Sequence, residues 1–525
     1  MFLLRHFTFL VACLVAAPAA LHAQPEFPSD LDAYVADVLR TFEVPGAAVA
    51  VVKDGRVVLA RGYGVRALGQ PAPVDDRTLF GIASNSKAFT AVALGMLVED
   101  GKIEWDAPVT RYLPWFQMWD PYVTRELTVR DLLVHRSGLG LGAGDLLWWP
   151  PTSYNEEDIV RRLRYVKPAT SFRSSYAYDN VLYITAGQLV EAVSGQTWAA
   201  FVRERILQPL GMTDTSPSPV GPADGANVAV THAPVEGSVR AVPPFLADNA
   251  DAAAGIHSNA HDIAKWLVVQ LDSGRVGPNG RIFSPDVTRE LWSLVTPIPV
   301  RPPSPSLAPL ATDYYGYGLG FFVQAYRGRK LVTHTGGLPG FVSRVAMIPG
   351  EKLGVAVLTN QESGAAFNAI AYRILDHFLG AEPHDWLGAY KALVDRSAAG
   401  IARREAEIAA ARDSTARPSL PLAAYAGTYT DDWYGDVEIV QEGEGLVIRF
   451  TKTPWLVGDL VPWQHDTFVA RWHDRSVRAD AFVTFDLTPR GEIEEVKMEA
   501  VSPATDFSFD FHDLSLRKST AAGGR

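Results

Sequence analysis

Cysteine is all but absent: Cys13 is the only one in 525 residues. It lies in an N-terminal stretch, MFLLRHFTFLVACLVAAPAALHAQ, with a short basic start at Arg5 and His6, an apolar run, and small residues ending at Ala23. That pattern reads as an export signal over residues 1–23. Cleavage after Ala23 leaves a mature chain with no thiol, which excludes disulfides and a thiolate nucleophile. The apolar run is shorter than the ~20 residues a membrane span needs, and no later segment is long and apolar enough. The expected product is extracytoplasmic, periplasmic or secreted, with no span in the mature chain. A membrane anchor, or lipoprotein processing at the lipobox-like Leu10-Val11-Ala12-Cys13, is the alternative.

Positive charge is also in the minority. Lys and Arg number 48 against 59 Asp and Glu, a net charge of −11, which argues against a protein that grips nucleic acid by counterion release. The twelve histidines form no HExxH or similar array, so no metal site is expected. No GxSxG elbow is present, which counts against an α/β-hydrolase.

The chain is longer than one hydrophobic core usually organises, and its texture changes along its length. Residues 46–66, GAAVAVVKDGRVVLARGYGVR, are two β-branched runs joined at Asp54-Gly55, a pair suited to a tight hairpin turn. From Ser86 to Asp100 apolar residues recur at helical spacing, with Gly101 placed to end the helix. Residues 128–270 carry several helical runs between Pro- and Gly-rich loops. Strand signals return at 315–325 and 330–360, and an apolar helix follows at about 365–380. Strands at both ends of a helical middle predict an α+β domain over 24–383: one antiparallel sheet, closed by the two ends of the domain and flanked by helices, beside a helical lobe. A charged, Ala-rich helical linker is expected over 384–418. The stretch 419–518 is all β, in short runs such as DVEIV, GLVIRF and AFVTFDL, which predict a small closed barrel or sandwich.

Ser84 and Lys87 sit three apart at the start of the 86–100 helix, so their side chains share a face and the ammonium can reach the hydroxyl. A serine hydroxyl is a poor nucleophile until a base takes its proton, and lysine can be that base where burial and neighbouring positive potential lower its pKa. The helix N-terminus adds such potential and offers the Ser84 N–H to a developing oxyanion. The spacing alone says little, because Ser515 and Lys518 share it in the last strand region. What sets the first pair apart is a series in chain order: Ser84-Asn85-Ser86-Lys87, then Tyr178-Asp179-Asn180, then His334-Thr335-Gly336-Gly337.

Carrying these motifs, the sequence resembles the serine β-lactamase-like hydrolases, in the branch of class C β-lactamases, D-specific peptidases and related esterases called the CubicO group. Resembling stretches include LFGIASNSKAFTAVALGMLVEDGKI, YAYDNVLYITAGQLVEAVSG and HTGGLPGFVSRVAMIPGEKLGVAVLTN, spread over residues 30–380. The resemblance implies a β-lactamase/penicillin-binding-protein-like fold without a cofactor, acting on a small molecule or short peptide. It implies that Ser84 is acylated, that Lys87 shares proton transfer with Tyr178, and that Asn180 binds the acyl-side amide and helps hold Lys87. His334, Thr335 and Gly336 would flank the site on an inner strand, and the Gly337 N–H would complete the oxyanion hole with that of Ser84. Penicillin-directed relatives commonly carry lysine where this chain has His334, and histidine is mostly neutral at pH 7. The expectation is therefore hydrolysis of a peptide, D-amino-acid derivative or ester through an acyl-enzyme. A penicillin-binding module that senses cell-wall fragments, or a weak β-lactamase, is the alternative. The C-terminal region resembles the lipocalin-like domain of some members, where the added domain can narrow access to the site, with Trp433, Tyr434 and Trp455 the candidates to line that contact.

His135, Ser137 and Gly138 read as a structural turn ahead of the loop at 139–155. Trp148 and Trp149, beside Pro150-Pro151, either edge the cleft or pin that loop.

Overall fold

The computed structural model describes residues 28–519, apart from 224 and 279. The expected export signal, Cys13 included, lies outside the described residues. Strands β1 (Gly46–Lys53) and β2 (Arg56–Gly64) form the expected hairpin, with Asp54 at φ 51° and Gly55 at φ 75°, the left-handed pair a two-residue turn demands. They join β3 (Thr296–Pro297), β4 (Tyr315–Tyr317), β5 (Phe322–Tyr326), β6 (Arg329–Leu338), β7 (Phe341–Ile348) and β8 (Leu353–Thr359) in one antiparallel sheet, ordered β2-β1-β8-β7-β6-β5-β4-β3. Ala47 to Lys53 of β1 pair with Thr359 to Leu353 of β8, so the two ends of the domain meet inside the sheet. β1, β7 and β8 are buried almost throughout. That double burial is why they read as unbroken apolar runs instead of alternating ones.

Helices α1 (Leu31–Thr41), α2 (Ser86–Glu99), α3 (Val181–Ser194), α4 (Ala260–Leu271), α5 (Gly364–Leu379) and α6 (Trp386–Ala410) cover the sheet and build the lobe. α1 and α5 share one apolar cluster with the outer face of the sheet, and α4 covers the other face. α2 is buried from Ser86 to Leu97, so it threads the middle of the domain with its N-terminus against β6. The 128–270 stretch is less helical than its sequence pattern predicts. Between Leu139 and Asn180 the chain is mostly loop, broken only by short helical turns such as Glu156–Arg162, and a small hairpin, His232–Val235 with Ser238–Ala241, is added. Gly138, Gly142 and Gly144 take φ of 97°, 71° and 81°, a left-handed backbone no helix can continue through.

α6 starts within the first domain, where Trp386 is fully buried against Tyr372 of α5 with ring centroids 4.9 Å apart, and then runs out exposed. Beyond it, β9 (Gly427–Asp431), β10 (Gly435–Glu442), β11 (Gly445–Phe450), β12 (Val457–Gln464), β13 (Thr467–Trp472), β14 (Ala481–Leu487), β15 (Ile493–Ala500) and β16 (Arg517–Lys518) form an antiparallel sheet that curls into a nearly closed barrel. A bridge between Val496 and Leu516, with N–H···O distances of 2.8 and 3.2 Å, draws its edges together. Tyr429, Phe450, Phe468, Trp472 and Phe485 are buried inside it, alternating with outward residues along each strand. The barrel lies directly on the first domain: Arg162 donates to the Trp433 carbonyl at 2.8 Å, and the Tyr154 hydroxyl donates to the Tyr434 carbonyl.

Candidate active site

Ser84 sits on a short 3-10 turn, Ala83–Asn85, that feeds directly into α2. Ala83 holds φ 51°, a conformation that costs a non-glycine residue on the order of 1–3 kcal/mol and persists only where its surroundings enforce it. The enforcement is visible. Asn85 donates to Ser343 Oγ at 2.8 Å, Ser343 donates to the Ile82 carbonyl at 2.7 Å, and β6 presses on the turn at Gly336. The half-buried Ser84 side chain is thereby presented at the mouth of the domain while its neighbours are buried.

Lys87, one turn on, is completely buried. Its Nζ donates to Ser84 Oγ at 3.1 Å, to Asn180 Oδ1 at 2.7 Å and to the Ala253 carbonyl at 3.0 Å. Burial pushes the amine down to about 7, against the opposing pull of Asp145 and Asp179. The Tyr178 ring lies 5.0 Å from the ammonium. Burial holds the Tyr178 phenol well above its ordinary value, with the adjacent Ser84 hydroxyl pulling the other way, so it is protonated at neutral pH. Ser84, Lys87, Tyr178 and Asn180 are thus brought together from two segments 93 residues apart along the chain.

β6 forms the opposite wall. His334 is buried with both ring nitrogens engaged: Nδ1 lies 2.6 Å from the Thr335 carbonyl, which can only accept, so the bare Nε2 accepts from the Tyr317 hydroxyl at 2.9 Å. Burial and the neighbouring Lys87 push the imidazole down to about 3, which leaves it neutral. Thr335 is half-buried and Gly337 exposed. β6 and β7 meet at a two-residue turn after Leu338, with Gly337 opposite Val342. The alternation of hydrogen-bonded and non-hydrogen-bonded pairs turns the Gly337 N–H away from β7.

A model of the Beta-lactamase family matches residues 31–378. The chain belongs to that family. It is a serine hydrolase of the beta-lactamase fold, and its barrel region, residues 411–518, matches a second model described as a domain of unknown function, DUF3471. Relatives include the Unguisins hydrolase ungD of Aspergillus violaceofuscus, 30% identical over 81% of this chain and 78% of that protein. The Unguisins hydrolase ungD' of Aspergillus campestris is 30% identical over 88% and 87%. Among solved structures, an octameric penicillin-binding protein homologue from Pyrococcus abyssi superposes with a TM-score of 0.57 at 23% identity, covering 93% of this chain and 99% of its own. The D-amino acid amidase of Ochrobactrum anthropi SV3 matches with a TM-score of 0.54 at 24% identity over 67% of this chain and 98% of its own.

Relative to that family frame, the two-domain arrangement adds groups that no local motif announces. A cavity of about 230 Å³ opens beside Gly337, lined by Trp149, Trp455, Arg478, Asp506 and Phe509 among others. All three aromatic candidates stand where the two domains meet: Trp455 lines this cavity, and Trp433 and Tyr434 lie outside it, their carbonyls accepting from Arg162 and the Tyr154 hydroxyl. Both readings of the tryptophan pair apply, one to each residue. Trp149 lines the cavity, and Trp148 pins the loop by donating from Nε1 to Asp145 Oδ1 at 2.8 Å. His135 makes the expected turn, at φ 54°, and its ring packs on Tyr178 with centroids 4.2 Å apart. Ser515 and Lys518, which share the Ser84–Lys87 spacing, turn to separate partners, Glu495 and the Ala424 carbonyl.

The two glycines of the third motif differ. A Cβ on Gly336 would lie 2.2 Å from the Ile82 carbonyl and 3.0 Å from the Ala83 Cβ, whereas one on Gly337 would meet nothing within 4 Å. Gly336→Val is expected to push β6 off the nucleophile turn and to lower both stability, by about 1–3 kcal/mol, and turnover. Gly337→Ala should fold with an unchanged melting temperature, because the role of that residue rests on its backbone N–H. Thermal melts and ester turnover on the pair check this, and equal destabilisation by both would contradict it.

Proposed function

We propose that the protein is an extracytoplasmic hydrolase that forms an acyl-enzyme on Ser84 with small peptide, D-amino-acid or ester substrates. The observation that carries this reading is the fully buried Lys87 amine, 3.1 Å from the Ser84 hydroxyl and lowered to about 7. Ser84 Oγ attacks the acyl carbon, and its proton passes to the Lys87–Tyr178 pair. The oxyanion is received by the N–H groups of Ser84 and Gly337, each such donor being worth ~3–4 kcal/mol. The same pair returns the proton to the departing amine or alcohol. Water then enters, gives up a proton to the pair and releases the acid, and Ser84 regains its hydrogen.

The neutral, doubly engaged His334 disfavours a β-lactamase, since it offers no cation to a substrate carboxylate. Relatives named as Unguisins hydrolases support hydrolysis, and a structural neighbour that is a D-amino acid amidase supports amide substrates. The test is intact mass of the mature protein after exposure to a fluorophosphonate, with turnover of p-nitrophenyl esters, D- and L-aminoacyl anilides and penicillins followed in parallel. One adduct on Ser84 with turnover of esters or anilides is expected. An adduct that forms and never turns over would instead favour the binding-module reading.

A further inference from the structure

Between β15 and β16 the chain leaves the barrel, crosses to the catalytic domain and returns. Two buried polar side chains of this crossing segment reach groups behind the nucleophile. Ser508 Oγ donates to Asp145 Oδ2 at 2.7 Å, and Asp510 Oδ2 accepts the Gly144 N–H at 2.6 Å. Asp145 is itself fully buried. Its Oδ1 accepts from Trp148, and its Oδ2 accepts from Ser508 and, at 2.8 Å, from Asn180 Nδ2. Asn180 turns its oxygen to Lys87 Nζ at 2.7 Å, and Lys87 reaches Ser84. An unbroken relay, Ser508–Asp145–Asn180–Lys87–Ser84, thus joins the barrel to the nucleophile.

We propose that Ser508 is a positioning residue for Lys87, which makes the crossing segment of the C-terminal barrel part of the machinery that orients the lysine. The inference rests on the acyl-enzyme reading and deepens it. Its physical basis is the Asn180 amide, whose two ends are unlike. An ionised Asp145 can only accept, so it claims the Asn180 NH2 and leaves the amide oxygen for the lysine. A protonated Asp145 would donate, and the amide could turn its NH2 toward Lys87, where it cannot hold an ammonium. The Ser508 hydroxyl, by donating, favours the ionised acid. Around Asp145 and Lys87 stand Asp179, His135, Tyr178, Tyr183, His334 on β6 and Asp510 on the segment, and Ser508 itself also bonds the Asp506 carboxylate two residues before it.

The active arrangement has Asp145 ionised and Lys87 neutral. Without the Ser508 donor, the last proton shared by the two leaves at higher pH. In the full-length protein, Ser508→Ala is expected to lower kcat at pH 7 about fivefold with KM little changed, and to move the acid limb of kcat/KM upward by about one pH unit, the scale of one hydrogen bond to a charged group. Ser508→Thr, which keeps the hydroxyl, should restore both. An unmoved acid limb in Ser508→Ala overturns the proposal, whether activity is unchanged or falls uniformly along with the melting temperature. Fluorophosphonate labelling of the same samples separates the two claims. A wild-type protein that takes no adduct on Ser84 overturns the acyl-enzyme reading, and this inference with it. A labelled wild type beside an unshifted Ser508→Ala profile overturns this inference alone.

Discussion

Ser84→Ala is expected to lower kcat by about a million-fold, the scale seen when a nucleophile is removed from a site whose members act as a unit. The substitution deletes one oxygen from a half-buried position. It leaves the Asn85–Ser343–Ile82 bonds that hold the turn and the Asn180 and Ala253 acceptors that hold Lys87. Folding should therefore change by no more than about 1 kcal/mol, the net worth of one hydrogen bond. Intact mass after fluorophosphonate treatment, ester turnover and a thermal melt on the same preparation check the three parts together. Persistent turnover in Ser84→Ala would remove Ser84 from the chemistry altogether.

Lys87→Met is expected to cost about 10²–10⁴ in kcat/KM, the usual share of a positioned acid or base, and to erase the acid limb of the pH profile. The sign follows from the lysine environment. Burial lowers the amine to about 7, so above that pH it is neutral and can take the Ser84 proton, whereas below it the group is an ammonium and cannot. Wild-type kcat/KM should therefore fall about tenfold per pH unit on the acid side, once pH drops below the lysine value. Methionine fills the same space without an ionisable group, so a flattened profile with intact folding assigns the limb to Lys87. If the limb survives in Lys87→Met, another group titrates there, and Asp145, raised by burial to about 7, is the first to test.

The parts of the fold and site that were legible in the sequence are those set over short distances. The β1–β2 hairpin follows from Asp54-Gly55, because a two-residue turn needs left-handed backbone at both positions. The Ser84–Lys87 contact follows from three-residue spacing on a helix start. The loop at 139–155 follows from its glycines, and Gly138, Gly142 and Gly144 do take left-handed backbone there, whereas the wider 128–270 stretch is less helical than its apolar spacing suggests, since 166–180 carries no helix at all.

By itself, the sequence determined the α+β architecture with its trailing barrel, the three motifs in chain order, and the absence of a lysine at position 334. These are matters of periodicity, local turn chemistry and residue identity. Only the tertiary structure decided which charges those residues carry and what stands behind them. His334 is neutral because burial and the neighbouring Lys87, from a different element, make it so. Lys87 is lowered because packing strips water from it. Asp145 meets Ser508 from 363 residues away along the chain. Desolvation and long-range hydrogen bonding depend on which segments fold together in space, and no spacing within a single segment encodes that.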